Sequence, residues 1–280
     1  MSQAGDFKSK YGPWALVTGG SSGIGEEYAR RFAELGLDVV IVARGKERLE
    51  RVKGDLEKRY AVSVRALSAD LRDPESIAEI EKATSDIEIG MLVSNAGYDN
   101  AGALLINDLA EENRYINLNV YAPLNLAYVF GKKMTGRGRG GIIFTSSVFG
   151  YQGVPYGACY AASKAFVRTL GEALFIEYGD KGVDVLVVSP GHIHTGAQKN
   201  MADEGWVDYS KLPRMMNVWM TPAQVVEKAL TSLGRKPVVI PGVYYRVLTL
   251  SGWYLARRKD LVKIYARVMK KMLAPHLTRY

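Results

Sequence analysis

Between an apolar run, Trp14 to Thr18, and a helical pattern from about Ile24 to Leu35 lie the residues Gly19-Gly20-Ser21-Ser22-Gly23-Ile24-Gly25. A second apolar run, Asp38 to Ala43, follows the helix after Gly36, a good residue for ending it. Strand, glycine-rich turn, helix and strand make a βαβ unit, which commits this part of the chain to parallel pairing. The physics of the turn points to an anion. Small residues let backbone N–H groups approach a pyrophosphate at a helix N-terminus. The spacing is G-x-x-x-G-x-G, not the commoner G-x-G-x-x-G, and a purely structural tight turn is the alternative.

The alternation continues along the 280 residues. Helix is expected from Lys46 to Arg59, strand from Val62 to Leu67, and a helix opened by Pro74 at its first position. Met91 to Ser94 reads as a buried strand, Leu109 to Lys133 as one long helix, and Ile142 to Ser146 as a strand after a Gly/Arg-rich turn. The helix that carries Tyr160 runs towards Tyr178, and Val183 to Val188 is the next strand. Thr221-Pro222 marks a capped helix start, Gly234 its end, and Val238 to Ile240 a last strand. Purely apolar strands separated by helices predict an α/β fold: a doubly wound parallel sheet, Rossmann-like, of about seven strands with helices on both faces.

Tyr160 and Lys164 stand four apart on a helix and share a face. A phenol is a poor acid or base at neutral pH, but a nearby ammonium favours its ionised form. Such a pair suits proton transfer at a carbonyl or carbinol oxygen. The pair alone says little, because both residue types are common.

Charge is placed unevenly. From Gly234 to Tyr280 there are eleven Lys and Arg against one acid, Asp260, a balance of +10, whereas residues 1–233 carry 26 basic and 28 acidic groups. No nucleic-acid-binding module accompanies that basicity, so no nucleic-acid partner is expected. The single cysteine, Cys159, excludes an intrachain disulfide and fits a reducing, cytoplasmic setting. Residues 1–10 lack the apolar stretch of a signal peptide, and no charge-free run is long enough to span a bilayer.

Several motifs in order resemble the short-chain dehydrogenase/reductase family over roughly Trp14 to Ile240. Thr18 to Gly25 is similar to its T-G-x-x-x-G-I-G cofactor loop, and Ser94-Asn95-Ala96-Gly97 to its N-N-A-G strand end, with Ser in the first place. Asn119 matches the family's structural and proton-relay Asn. Ser147, thirteen positions before Tyr160, matches the catalytic Ser, and Tyr160 and Lys164 match the Tyr and Lys. Pro190-Gly191 through Ile193 to Thr195 is similar to the P-G-x-x-x-T segment beside the nicotinamide. The resemblance implies a catalytic set of Asn119, Ser147, Tyr160 and Lys164. In the roles so implied, Ser147 would stabilise the substrate oxygen and Tyr160 would move the proton. Lys164 would lower the phenol's pKa and hold the nicotinamide ribose, and Asn119 would hold a relay water. It implies cofactor contacts at Gly19, Ser21, Ser22, Gly23, Ile24 and Gly25 in the loop, and at Asp70 and Leu71 beside the adenine. Further contacts are implied at Asn95, Ala96, Gly97, Tyr160, Lys164, Pro190, Gly191, Ile193 and Thr195.

An acid at the tip of the second strand suits NAD, and an Arg there suits a 2′-phosphate. The chain reads Val42-Ala43-Arg44-Gly45-Lys46, so the expected cofactor is NADP(H), with Arg44 on the phosphate. His192 and His194 could ligate a metal, but no third ligand is spaced nearby; they are read as loop or substrate-lining residues, and no metal is expected. Cys159 is read as packing.

Residues 1–241 are therefore expected to form one catalytic domain with a substrate lid at about 196–220. The lid holds Met201, Trp206, Tyr209, Leu212, Met215, Met216, Val218, Trp219 and Met220. Such a surface suits a hydrophobic substrate or simple packing on the core. Residues 242–280 form a basic extension with an amphipathic Leu261 to Leu273. It is expected to lie on an anionic membrane, to pack on a second subunit, or to close over the chain's own pocket. Similar tails occur in the branch resembling 3-oxoacyl reductases and 17β-hydroxysteroid dehydrogenases. The expected function is an NADP(H)-dependent carbonyl/secondary-alcohol oxidoreductase in lipid metabolism, acting as a homo-oligomer. The alternative is a non-catalytic nucleotide sensor that acts through its tail.

Overall fold

Nine strands form in the computed structural model, which describes residues 3–98, 101–214 and 216–278. They are β1 (Trp14–Thr18), β2 (Asp38–Ala43), β3 (Val64–Ser68), β4 (Ile89–Ser94) and β5 (Gly140–Thr145), then β6 (Val183–Val188), β7 (His192–Ile193), β8 (Trp219–Met220) and β9 (Val238–Val239). Seven of them make one parallel sheet in the order β3-β2-β1-β4-β5-β6-β9. The order reverses between β1 and β4, which leaves a crevice at the strands' carboxyl ends where open α/β sheets place their ligands. β7 and β8 pair separately, beside that crevice.

The helices are α1 (Gln3–Tyr11), α2 (Gly23–Glu34), α3 (Lys46–Arg59), α4 (Ser76–Ala83), α5 (Leu109–Ile116) and α6 (Ala122–Arg137). After them come α7 (Ala158–Gly179), α8 (Gly196–Asp203), α9 (Pro222–Ser232), α10 (Val243–Leu255) and α11 (Arg258–Met272). Alternate strand residues feed opposite faces, as the pleat requires. Val17, Ile41, Val93 and Ile143 meet Tyr28 and Phe32 of α2 and Val225 and Ala229 of α9. Leu16, Val42, Leu92 and Phe144 meet Leu126 and Phe130 of α6 and Val167 of α7. A third, smaller cluster lies off the sheet, where Met269, Met272 and Leu273 pack against Val207, Leu212 and Ala161. This cluster matters for the site.

Local details depart from the sequence reading at several points. The strand expected at Val62 to Leu67 runs Val64–Ser68. Pro74 does not begin α4; it sits in a turn closed by Ser76 N–H and Oγ on Asp73 O, at 3.2 and 2.7 Å, and the helix starts only at Ser76. The long helix expected from Leu109 to Lys133 is interrupted by a π turn at Asn117–Tyr121 and continues to Arg137. The N-terminal helix α1 was not foreseen. Its Phe7 lies on Phe32, and Tyr11 donates to Asp184.

Candidate active site

The cofactor side of the crevice is built from glycines that nothing else could replace. Gly19 and Gly23 have φ of 68° and 58°, the left-handed region. A Cβ on Gly25 would lie 2.2 Å from Gly19 O and 2.8 Å from the Asn95 amide. That amide donates to Thr18 O at 3.1 Å, while Thr18 Oγ1 accepts from Asn95 N and Ala96 N at 2.9 and 3.0 Å. Thr145 Oγ1 donates to Asn95 Oδ1 at 3.2 Å, so Asn95 and Ala96 tie the ends of β1, β4 and β5 beneath the loop. Ser22 precedes α2 without capping it by its side chain, which leaves first-turn N–H groups open to an anion. Ser21 is buried, and Ile24 packs on the core. Thr195 closes over the loop, 3.2 Å from where a Cβ on Gly23 would stand.

Arg44 is exposed directly after β2, as the sequence places it. Asp70, after β3, is held by Arg72 through bonds of 2.6 to 3.0 Å. The guanidinium of Arg72, with Arg44 more distant, keeps the Asp70 carboxyl below its ordinary range. The Leu71 side chain is buried beside Ile77 and Ile80, so only its backbone is left to face an adenine. The cradle fits a dinucleotide: close backbone approach and an open helix N-terminus, with Arg44 exposed directly after β2.

Lys164 is buried on α7, and its Nζ donates to Thr145 O at 3.0 Å while lying 5.7 Å from the Tyr160 ring centre. A Cβ on Gly97 would be 3.3 Å from that Nζ and 2.7 Å from Asn119 Oδ1, so lysine, glycine and asparagine converge. Asn119 sits in the π turn, where its Nδ2 donates to Tyr115 O at 3.0 Å. Its Oδ1 is buried and has no hydrogen-bond partner among the described residues. An orphaned buried acceptor is costly unless water reaches it. The two serines face different ways: Ser146 Oγ donates to Lys164 O at 2.7 Å, whereas Ser147 lines a cavity together with Tyr160.

That cavity is partly enclosed, with a volume of about 100 Å³. Ser147, Tyr160 and His192 line it. The lid contributes Val207, Tyr209, Leu212 and Met216, and α8 contributes Gln198. Met215 of the expected lid lies outside the described residues. The tail supplies the remaining wall: Tyr245, Leu248 and Thr249 from α10, and Tyr265, Met269 and Met272 from α11. Pro190 O accepts from Val148 N at 3.1 Å, and the Tyr245 ring packs where a Cβ on Gly191 would stand. Ile193 is buried in the core.

The two histidines enclose an aromatic wall. His194 stacks on Trp219 at 5.0 Å, and His192 meets it at 5.2 Å. Burial pushes the His192 imidazole down to about 4, so it is neutral near pH 7. Among the described residues no group of three or more His, Cys, Asp or Glu could hold a metal. Burial and a bond to Glu112 push the Cys159 thiol up to about 11, which suits packing and not nucleophilic attack.

These features define a nucleotide crevice joined to an apolar chamber through a Ser/Tyr/Lys/Asn set. The chain belongs to the short-chain dehydrogenase/reductase family: its short chain dehydrogenase model matches residues 13–205. A 7beta-hydroxysteroid dehydrogenase of Mediterraneibacter gnavus is 28% identical over 84% of this chain and 88% of its own length. A very-long-chain 3-oxoacyl-CoA reductase of Anas platyrhynchos is 29% identical over 94% of this chain and 84% of its own. A solved structure described as 7beta-hydroxysteroid dehydrogenase superposes with a TM-score of 0.85 at 25% identity, covering 93% of this chain and 99% of that one. A short-chain dehydrogenase from Sphingobium yanoikuyae in complex with NADPH is 32% identical, with a TM-score of 0.74, covering 90% and 95%. The chain thus falls in the hydroxysteroid and oxoacyl reductase branch of an oxidoreductase family.

Proposed function

We infer that the protein interconverts a carbonyl and a secondary alcohol on a bulky apolar substrate of lipid type, using NADP(H). The observation that carries this reading is the chamber: Ser147 and Tyr160 are hydroxyls on the wall of an otherwise mostly apolar space. When bound, the cofactor supplies or accepts the hydride. Gly19 to Gly25 would hold its pyrophosphate, and Arg44 its 2′-phosphate. The NADPH carried by the Sphingobium relative supports that choice.

The chain's own residues handle the oxygen and the proton. Ser147 Oγ donates a hydrogen bond to the substrate oxygen and stabilises charge that develops on it. Tyr160 Oη gives the proton in reduction and takes it in oxidation. The Lys164 ammonium, anchored on Thr145 O, favours the phenolate that remains. Asn119 Oδ1 holds a water that returns a proton through Lys164 from solvent. The lid and tail keep bulk water from the chamber, which strengthens these polar contacts.

The test is a screen of ketones graded in bulk, from short aliphatic to polycyclic and long-chain, followed by NADPH oxidation. Rising kcat/KM with apolar bulk supports the reading. Turnover confined to small polar carbonyls, or none with any ketone while NADPH still binds, would overturn it.

A further inference from the structure

α10 has two apolar faces, and only one is used by the fold. Tyr245, Leu248 and Thr249 point to the chamber. On the opposite side Val243, Val247, Leu250 and Tyr254 recur at helical spacing and are exposed, Val247 at 60% and Tyr254 at 75%. The helix contains no acid, and Arg246 is its one charge. The stripe runs out through exposed Leu255 into Arg257 and Lys259, Arg258 between them donating to Tyr151 O at 2.8 Å, and α11 continues with exposed Lys263 and Arg267. A solvated helix face would carry polar residues where this one carries Val, Leu and Tyr.

We propose that the outward face of α10, with the cations at its end and on α11, docks on an anionic lipid bilayer. Charge selects this occupant. The segment from Gly234 onward carries eleven Lys and Arg against one acid, so a two-fold contact of this face with a second copy would set like charges against each other. An anionic surface attracts each of those cations, while the stripe buries itself at the headgroup boundary. Docking is peripheral: among the described residues no helix is long and apolar enough to cross a membrane. A docked α10 has its inner face on the chamber and its outer face in lipid. The substrate is then one that partitions into bilayers, a corollary that rests on the reductase reading, whereas the docking does not.

The experiment uses the full chain and no turnover. Co-sedimentation is measured with vesicles of phosphatidylcholine alone and of phosphatidylcholine with phosphatidylserine, beside the solution mass. The wild type is expected to bind the anionic vesicles at least tenfold more tightly than the neutral ones, at about fivefold per engaged cation. Val247→Glu with Tyr254→Glu, both on exposed positions that leave folding intact, should lower that binding at least tenfold. Arg257→Gln with Lys259→Gln should lower it on anionic vesicles only. The proposal is overturned if the wild type ignores anionic vesicles, binds neutral ones equally, or binds undiminished after the Glu substitutions. It is equally overturned if those substitutions convert an oligomer to a smaller mass, because the stripe is then a subunit contact.

Discussion

The Tyr245 hydroxyl accepts a hydrogen bond from His192 N–H at 3.1 Å and donates one to Val218 O. One phenol thereby ties α10 to the segment before β8 and to β7, and its ring occupies the space that Gly191 leaves beside β6. Removing the oxygen leaves a buried donor and a buried acceptor unpaired, at about 1–3 kcal/mol. Tyr245→Phe is therefore expected to lower Tm by a few degrees and to raise the KM of a bulky ketone several-fold. Its NADPH affinity should stay within about twofold. Cofactor affinity that falls in parallel with substrate affinity would show that Tyr245 braces the whole crevice and not the chamber.

Tyr160→Phe separates chemistry from binding. The ring can still pack edge-on against Phe149, with centres 6.1 Å apart, so the fold has no need of the hydroxyl. A positioned general acid contributes about 10²–10⁴-fold. The variant is expected to lose at least that lower factor in kcat while NADPH quenching of protein fluorescence is retained. Turnover within about tenfold of wild type refutes the proton-transfer role.

Arg44→Asp tests the cofactor. A bond from a cation to phosphate contributes about 1.5–3 kcal/mol, and an acid in its place adds repulsion. NADPH affinity should drop by at least about tenfold, with NADH affinity unchanged or improved. Equal affinities for the two cofactors in the wild type would remove Arg44 from the site. Arg72 is a poor substitute, because Asp70 already engages its guanidinium.

The legible parts of this protein were those in which residue type and local spacing carry the physics. Gly25 had to be glycine because Gly19 O lies where its Cβ would go, and that demand shows as a pattern within seven residues. Tyr160 and Lys164 were readable because a helix fixes their relation. The anchor of Lys164 was not, since Thr145 offers a backbone carbonyl that every residue has. The tail was read as amphipathic, correctly, but the partner of its apolar side is Val207 and Leu212, some sixty residues away in sequence, and no spacing records such a contact. Phe7 and Tyr11, four apart, did carry the signal of α1, hidden among Asp6, Lys8 and Lys10. The break between α5 and α6 carries one mark, Pro123 in the first turn of α6, which has no N–H to continue the helical ladder, and the π turn before it is where Asn119 leaves its Oδ1 unpaired.

His192 makes stability depend on pH in a direction that can be worked out. Its imidazole sits at about 4 in the folded protein, from an ordinary 6.5, because burial disfavours the charged ring. The rings packed against it, Tyr209, Trp219 and Tyr245, are uncharged in this range and offer the imidazolium no counter-ion. Between these two values the unfolded chain binds the proton and the folded chain does not, so stability rises with pH across the window. The contribution is complete above about pH 6.5 and is lost as pH falls towards 4, by no more than about 3 kcal/mol at ~1.36 kcal/mol per pKa unit. Denaturant midpoints should be measured for wild type and His192→Gln at intervals from pH 8 to pH 4, because the difference cancels the carboxylates that titrate in both. The wild type is expected to lose stability relative to the variant as the pH drops below 6.5. A difference that stays flat through the window would mean that the ring is hydrated or protonated in the folded state, and the chamber wall would then be polar at that point.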